Sequence, residues 1–380
     1  MVKTTSEEQL LLNIVRLRYT DTPSSLAVSA IAVQLQQQSS LQLTPFLVAA
    51  GGDVHIRSFT SVLPQAQLLT ADLPTLTLTP QDDQDFTRRL FTPLPLEGVL
   101  YLAKTTWPIA VVFRLYLENL NWVSNAQTAS GPTPRRSPEF AEFLRGIEAL
   151  QVLQDRSQVV FTQEERLETL GGPLPADRVQ AADVVGAAKN GQEYRPDEGG
   201  HTWTLVKKVQ QPILSIHPAA LTSPELREFV RTFRLQPGLS KYDLKVDSLS
   251  PFPVLYPPEG VTTVDLETRS LLQVLYFVSQ GVAIPPEHLG RELVRVTLDE
   301  DARVFDWQQV LRGLFKVSYA YGKKPPSARV AVQYRDYWFY IDEADQDTLT
   351  TFSLLLELSR LELTGQTAPG PLLTLPLSGR

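Results

Sequence analysis

The chain has 380 residues, 43% of them hydrophobic and 20% charged, with 20 Gly and 29 Pro, a globular composition that excludes disordered and fibrous classes. At roughly 100–200 residues per domain it holds two or three structural units. A net charge of −7 leaves no general basic field for a phosphate backbone, so no nucleic acid is expected, and the lack of cysteine removes disulfides, thiolate nucleophiles, zinc–thiolate sites and iron–sulfur clusters.

Residues 5–19 set Leu10, Leu11, Ile14, Val15 and Leu17 near one stripe, with Thr5 or Ser6 as N-cap and Glu7 and Glu8 in the first turn, and predict a helix. Residues 22–81 then carry only Asp53, Arg57 and Asp72 as full charges. They read as antiparallel β: a strand over 25–36, a connection at Gln36 to Ser40, and a second run holding Leu41, Leu43, Phe46 and Val48. A third strand is expected at Val54, Ile56 and Phe59, and a fourth at Leu76 and Leu78.

A helical period follows. Phe86, Leu90 and Phe91 form one stripe, Leu96, Val99, Leu100 and Leu102 a second, and a third helix starts at Pro108 and runs on to Leu120. Residues 128–138 (TASGPTPRRSP) read as an exposed loop or linker, and 139–154 as a helix. Beyond it come a short strand over 159–161, a helix over 175–189, a turn-rich stretch over 190–200, strands over 202–207 and 213–216, and a helix over 222–233. The spacing predicts a further helix over 265–280, a strand at Leu293 to Val296, a helical piece over 308–313 and a period-2 strand over 315–321. A hairpin over 328–341 turns at Arg335-Asp336, and the acids of 342–347 open a last helix. The fold class is α+β: antiparallel N-terminal strands, a central helical segment, then a C-terminal β-hairpin and helix. The regions are 1–21, 22–81, 82–156 and 157–380.

Chemistry has few footholds. G-x-S-x-G, H-E-x-x-H, the Walker A loop and G-x-G-x-x-G are all missing. No catalytic residue, cofactor or metal is expected. His288 and Glu292 share a helical face as surface polarity, and His201 and His217 end strands as structural imidazoles. Asp299-Glu300-Asp301 reads as a turn and not a calcium loop. Tyr337, Trp338 and Tyr340 are a candidate stacking platform for a glycan or other small ligand, set against ordinary hairpin packing. Arg135-Arg136 is a solvated loop doublet.

The charge-poor block carries the sharper reading. A water-facing sheet normally shows Lys and Glu on its exposed face and edges. Here Ser, Thr and Gln take those places, so something other than bulk water covers the strands. Two runs of about ten residues match membrane-spanning β-hairpins shared by a ring of copies. The rival is a soluble sheet packed on helices or paired across an oligomer interface, and Pro45, Pro64 and the weak alternation over 27–33 favour it.

The opening EEQLLLNIVRLRYTDTPSSLAVSAI resembles the start of the mature region in a group of uncharacterised bacterial envelope lipoproteins. LTPQDDQDFTRRLFTPLP, NAQTASGPTP, ETRSLLQVLYFVSQGV and VAVQYRDYWFYIDEADQDTLTTFSLLLEL are similar to further blocks of that group. The group carries a lipidated cysteine upstream of this opening, which the present sequence lacks. The resemblance implies a place on the periplasmic side of the outer membrane and assigns no active residue. The expectation is a non-catalytic envelope protein acting by assembly or protein binding, with a small-ligand domain and a hydrolase with a dispersed site as alternatives. Candidate interaction residues are Asn13, Arg16 and Arg18 on the first helix and Val28, Ile31, Val33, Leu41 and Leu43 in the charge-poor strands. Its partners would be proteins or further copies, with membrane association through an upstream lipid anchor or shared β-strands.

Overall fold

A computed structural model describes residues 2–23, 26–42, 65–80, 88, 90–104, 107–246, 257–363 and 373–376. In chain order these form α1 (Val2–Arg18), β1 (Leu26–Gln42), β2 (Gln65–Pro80), α2 (Leu96–Lys104), α3 (Ile109–Tyr116), β3 (Leu117–Leu120), β4 (Val123–Ser124) and α4 (Ala141–Asp155). Next come β5 (Val159–Pro175), α5 (Ala181–Lys189), β6 (Gln192–Pro196), β7 (Thr202–Ile216), α6 (Pro224–Thr232), β8 (Lys241–Val246), β9 (Thr263–Thr268) and α7 (Leu271–Ser279). The chain closes with α8 (Pro286–Gly290), α9 (Gln308–Leu311), β10 (Ser318–Tyr321), β11 (Ala328–Tyr334), β12 (Tyr337–Asp342), α10 (Gln346–Leu363) and β13 (Leu373–Pro376). The fold class is α+β, as the sequence predicts.

Two compact units divide these elements. One comprises Lys3–Pro23 and Thr87–Leu363, and the other Ser24–Phe86 with Thr364–Arg380. The larger unit, the body, holds a seven-stranded sheet ordered β4-β3-β9-β8-β7-β5, with β6 also on β7, and a three-stranded sheet ordered β10-β12-β11. One hydrophobic cluster joins them: Leu11, Ile14 and Val15 of α1 belong to it with Phe113, Phe143, Phe229, Phe277, Phe339 and Leu355, all buried. Helices α4 and α6 approach closely at Gly146, where a Cβ would meet the Phe233 ring and stand 2.7 Å from Thr232 Cγ2.

Local signals set several boundaries, the capped start of α6 and the β11–β12 turn as expected and the start of α7 at a cap the pattern does not single out. Ser223 caps α6 by accepting from the Leu226 amide, and Ser270 and Gln273 form a reciprocal capping box on α7. The β11–β12 hairpin turns at Arg335 and Asp336, both at positive φ (46° and 69°), as a two-residue turn matched to strand twist requires.

Elsewhere tertiary pairing overrides the local pattern. The third expected helix ends at Tyr116, and Leu117–Leu120 turn extended to pair with β9. The helix expected over 265–280 starts only at Leu271, because Thr263–Thr268 form β9 in the sheet centre, parallel to β8. The short strand at 159–161 runs on to Pro175, and the two strands expected between 202 and 216 are one. Charges accompany that length: Lys208 of β7 pairs with Glu165 of β5 at 2.9 Å, and over β7 the β5 and β8 side chains meet, Arg166 donating to Asp243 at 2.7 Å and Lys241 to Glu164 at 2.6 Å. Part of the turn-rich stretch is β6, and the strand expected at Leu293 to Val296 is irregular chain. α1 begins at Val2, so Thr5 and Ser6 lie within it and not at its cap.

The charge-poor block differs most from expectation. β1 runs unbroken through Gln36–Ser40, the stretch expected to turn, and pairs with β2 over 16 positions from Leu26↔Pro80 to Gln42↔Gln65. Gln and Ser permit extended backbone, and nothing of the Gly/Asn kind in that stretch enforces a turn. The strands expected near Phe46 and Val48 and at Val54 to Phe59, with Leu43, Pro45, Pro64 and His55, lie outside the described residues. β13 adds a third strand, pairing Leu373–Pro376 with Leu78–Thr75.

Candidate interaction surfaces

In the smaller unit the register decides which residues share a face. A single irregularity, at Ser29 between the Val28↔Leu78 and Ala30↔Thr77 pairs, adds one residue to β1. A side-chain period of two makes that extra residue reverse parity. Leu26 and Val28 therefore fall on the same face as Ile31, Val33, Leu35 and Leu41. Across the ladder that face receives Pro80, Leu78, Leu76, Pro74 and, opposite Leu35, Asp72. β13 continues it with Leu373 and Leu375 opposite Leu78 and Leu76. The other face carries Ala27, Ala30, Ala32, Gln34, Gln36 and Gln38, with Thr79, Thr77 and Thr75 opposite the first three and Leu73, Ala71 and Leu69 opposite the glutamines. Weak alternation over 27–33 is thus a phase shift at a bulge, and Val28, Ile31, Val33 and Leu41 form one row. Asp72 is the one full charge within β1 and β2.

The body places the other candidates differently. Arg18 is buried: its Nη1 donates to Thr133 Oγ1 at 2.7 Å and to the Arg295 carbonyl at 3.0 Å. Burial lowers its pKa to about 10, and its role is to hold the 128–138 loop, not to meet a partner. Asn13 and Arg16 are half-buried. The 128–138 stretch is correspondingly no exposed linker, since Ala129, Ser130 and Thr133 are buried, while Arg135 and Arg136 are exposed.

Arg269 is the centre that sequence reasoning missed. Its guanidinium is fully buried, with Nε on Ser130 Oγ at 2.9 Å, Nη1 on the Arg114 and Leu115 carbonyls at 3.0 and 3.2 Å, and Nη2 on the Asn125 carbonyl. Phe277 covers it, 4.0 Å from ring centroid to Cζ. Desolvation lowers its pKa to about 9, against the pull of Glu118 and Glu267, so it stays charged at neutral pH. Asn125 donates to the Arg114 and Leu117 carbonyls at 2.8 and 2.7 Å, and Asn121 to the Phe233 and Thr263 carbonyls while accepting from the Asp265 amide. The asparagine density of NLNWVSN was the available signal. These groups satisfy buried backbone around the junction of α3, β3 and β9.

His288 is also buried, contrary to the surface reading, and Glu292 follows the end of α8 at positive φ and shares no helical face with it. Nδ1 of His288 lies 2.6 Å from the Tyr19 hydroxyl, with Tyr337 edge-on at 5.0 Å. Tyr334 donates to Asp21, and Arg335 stacks over Tyr19 at 5.1 Å. His217 caps a short turn by accepting from the Ala219 amide, and Asp299 accepts from the Asp301 and Arg303 amides, forming the expected turn.

The stacking trio does not converge. Tyr337 points into the core with Phe339, while Trp338 and Tyr340 are half-buried on the opposite face of β12, where Trp338 Nε1 donates to the Gly322 carbonyl at 3.3 Å. A groove of about 280 Å³ lies between α2 and β5, with Glu97 its one carboxylate and no histidine among its lining residues. Among the described residues no cluster of three or more His, Asp or Glu is placed to hold a metal. No helix among them is long and apolar enough to cross a membrane.

Comparison of the chain with protein-family models, with curated proteins and with solved structures finds no match.

Proposed function

We propose that the chain is a non-catalytic cell-envelope protein that works by self-assembly, with the β1–β2 ribbon as the joining element and the α+β body as scaffold. The observation that carries this reading is the register of the ribbon. Over the eight β1 residues from Leu26 to Val33, one phase-restoring bulge sorts an uncharged stretch into an apolar face and a face of Ala and Thr, while beyond it both faces mix Gln with Leu. Two long strands with a four-residue third strand, β13, form a thin sheet whose apolar face needs a cover to be stable. They also present edges without the lysines that keep soluble edges apart. Both features favour further copies as the covering material. The envelope location follows from the resemblance of the opening and of four later blocks to envelope lipoproteins. The convergence of buried polar groups on backbone carbonyls, and not on a cleft, supports a structural role for the body.

Native mass of the purified chain in mild detergent tests the reading. A defined multiple of the 42.5 kDa protomer is expected, falling to the protomer in the Ile31→Lys/Val33→Lys variant. A 42.5 kDa species for the unaltered chain, with and without detergent, would contradict it.

A further inference from the structure

Resting on that assembly reading, we propose that the apolar face of the ribbon lies against lipid acyl chains, the hairpins of successive copies joining edge to edge into one closed barrel. The continuous apolar run on β1, from Leu26 to Leu35, is ten residues counted through the bulge. Counted on the ladder it covers nine positions, which at about 3.3 Å per residue and a tilt of about 40–45° span about 20 Å, most of the roughly 25 Å apolar band on an outer-membrane barrel. Asp72 stands opposite Leu35, where the run ends, so the ribbon's one charge falls at the rim of the band and not within it.

The second face argues for water on the other side. Ala30 and Ala32 face Thr77 and Thr75, an uncharged and small surface of the kind a lumen tolerates, with Gln34 opposite Leu73 beyond them. A pair of copies packed face to face would bury the apolar row yet leave the outer edges of β1 and β13 without a neighbour among the described residues, and such edges invite further pairing. Closure of many ribbons into a ring answers both requirements. The bulge at Ser29 fits this use, because without it Leu26 and Val28 would turn to the wet face.

The absence of cysteine makes each introduced thiol unique. Full-length chains carrying Val28→Cys, Ile31→Cys or Val33→Cys, or Ala30→Cys, Ala32→Cys or Gln34→Cys, would be labelled with an environment-sensitive fluorophore. They would then be reconstituted from detergent into phosphatidylethanolamine/phosphatidylglycerol vesicles. Quenching by doxyl-labelled lipid is expected to exceed quenching by aqueous iodide several-fold at 28, 31 and 33, with the reverse at 30, 32 and 34. Equal quenching at both sets, or no doxyl quenching at any position, overturns the lipid assignment. If native mass still shows an oligomer in that case, the assembly reading stands and protein covers the face. A chain that is monomeric and does not float with vesicles overturns both.

Discussion

Arg269 and Phe277 stack with 4.0 Å between the guanidinium carbon and the ring centroid, in a part of the body where the arginine is fully buried and its donors end on carbonyls and a hydroxyl. A charge without a direct carboxylate partner is held there by dipoles and a π face. Arg269→Met would keep the bulk and strip the donors from the Arg114, Leu115 and Asn125 carbonyls. The expected cost is about 2–4 kcal/mol of unfolding free energy. Arg269→Lys, with one point of donation in place of a fork, should recover less than half. Urea denaturation at neutral pH reads both.

His288 makes the body sensitive to mild acid. Burial, then the Arg335 and Arg291 guanidinium groups, hold its imidazole below the usual histidine value, with Glu287 opposing them. Between that lowered value and about 6.5 the unfolded chain binds the extra proton and the native chain does not. The contribution of His288 is therefore complete above about pH 6.5 and is lost as pH falls toward the native value. Thermal midpoints between pH 7.5 and 5 should drop more steeply for the native sequence than for His288→Gln, which keeps an acceptor for Tyr19.

Gly146 is required by contact and not by backbone freedom. Alanine would ordinarily favour a helix interior, yet a Cβ here runs into Phe233 and Thr232. Gly146→Ala should lower stability by about 1–3 kcal/mol, as overpacking does. Gly186, in α5, has open space where its Cβ would be. Gly186→Ala should gain up to about 1 kcal/mol on helix propensity. The pair, measured in one chemical-denaturation series, separates packing from propensity.

Parity governs the ribbon. Val33→Lys places a cation on the apolar row and Gln34→Lys one residue away on the polar face. For a lipid-facing position two residues from the rim at Leu35 the first change costs about 1–2 kcal/mol per copy, between midplane and interfacial values, while the second is nearly neutral. Size-exclusion profiles in detergent should show loss of the large species for Val33→Lys only.

Much of this architecture was legible in sequence where the determinant is local. The β11–β12 hairpin, the capped start of α6 and the α1 stripe all follow from residues within a turn or two of each other. Leu117–Leu120 and Thr263–Thr268 were not legible, because each borders a helix pattern and becomes a strand through distant pairing, with one another and, for Thr263–Thr268, with β8. The ribbon was read as the interaction element from its missing charges, but its alternation was hidden by Ser29. One inserted residue looks like noise until the opposite strand shows that the phase resumes. Arg18 reads as a partner-facing position and Arg269 as nothing special, since the hydroxyls that hold them lie more than a hundred residues away.

The most direct test of assembly through the ribbon is a pulsed dipolar measurement on Gln36→Cys carrying one nitroxide. With a single label per chain every distance is between copies. A ring of ribbons predicts a narrow intermolecular distance that disappears when the same label is placed in the Ile31→Lys/Val33→Lys background. A background decay with no resolved distance, from a sample of protomer mass, would contradict it.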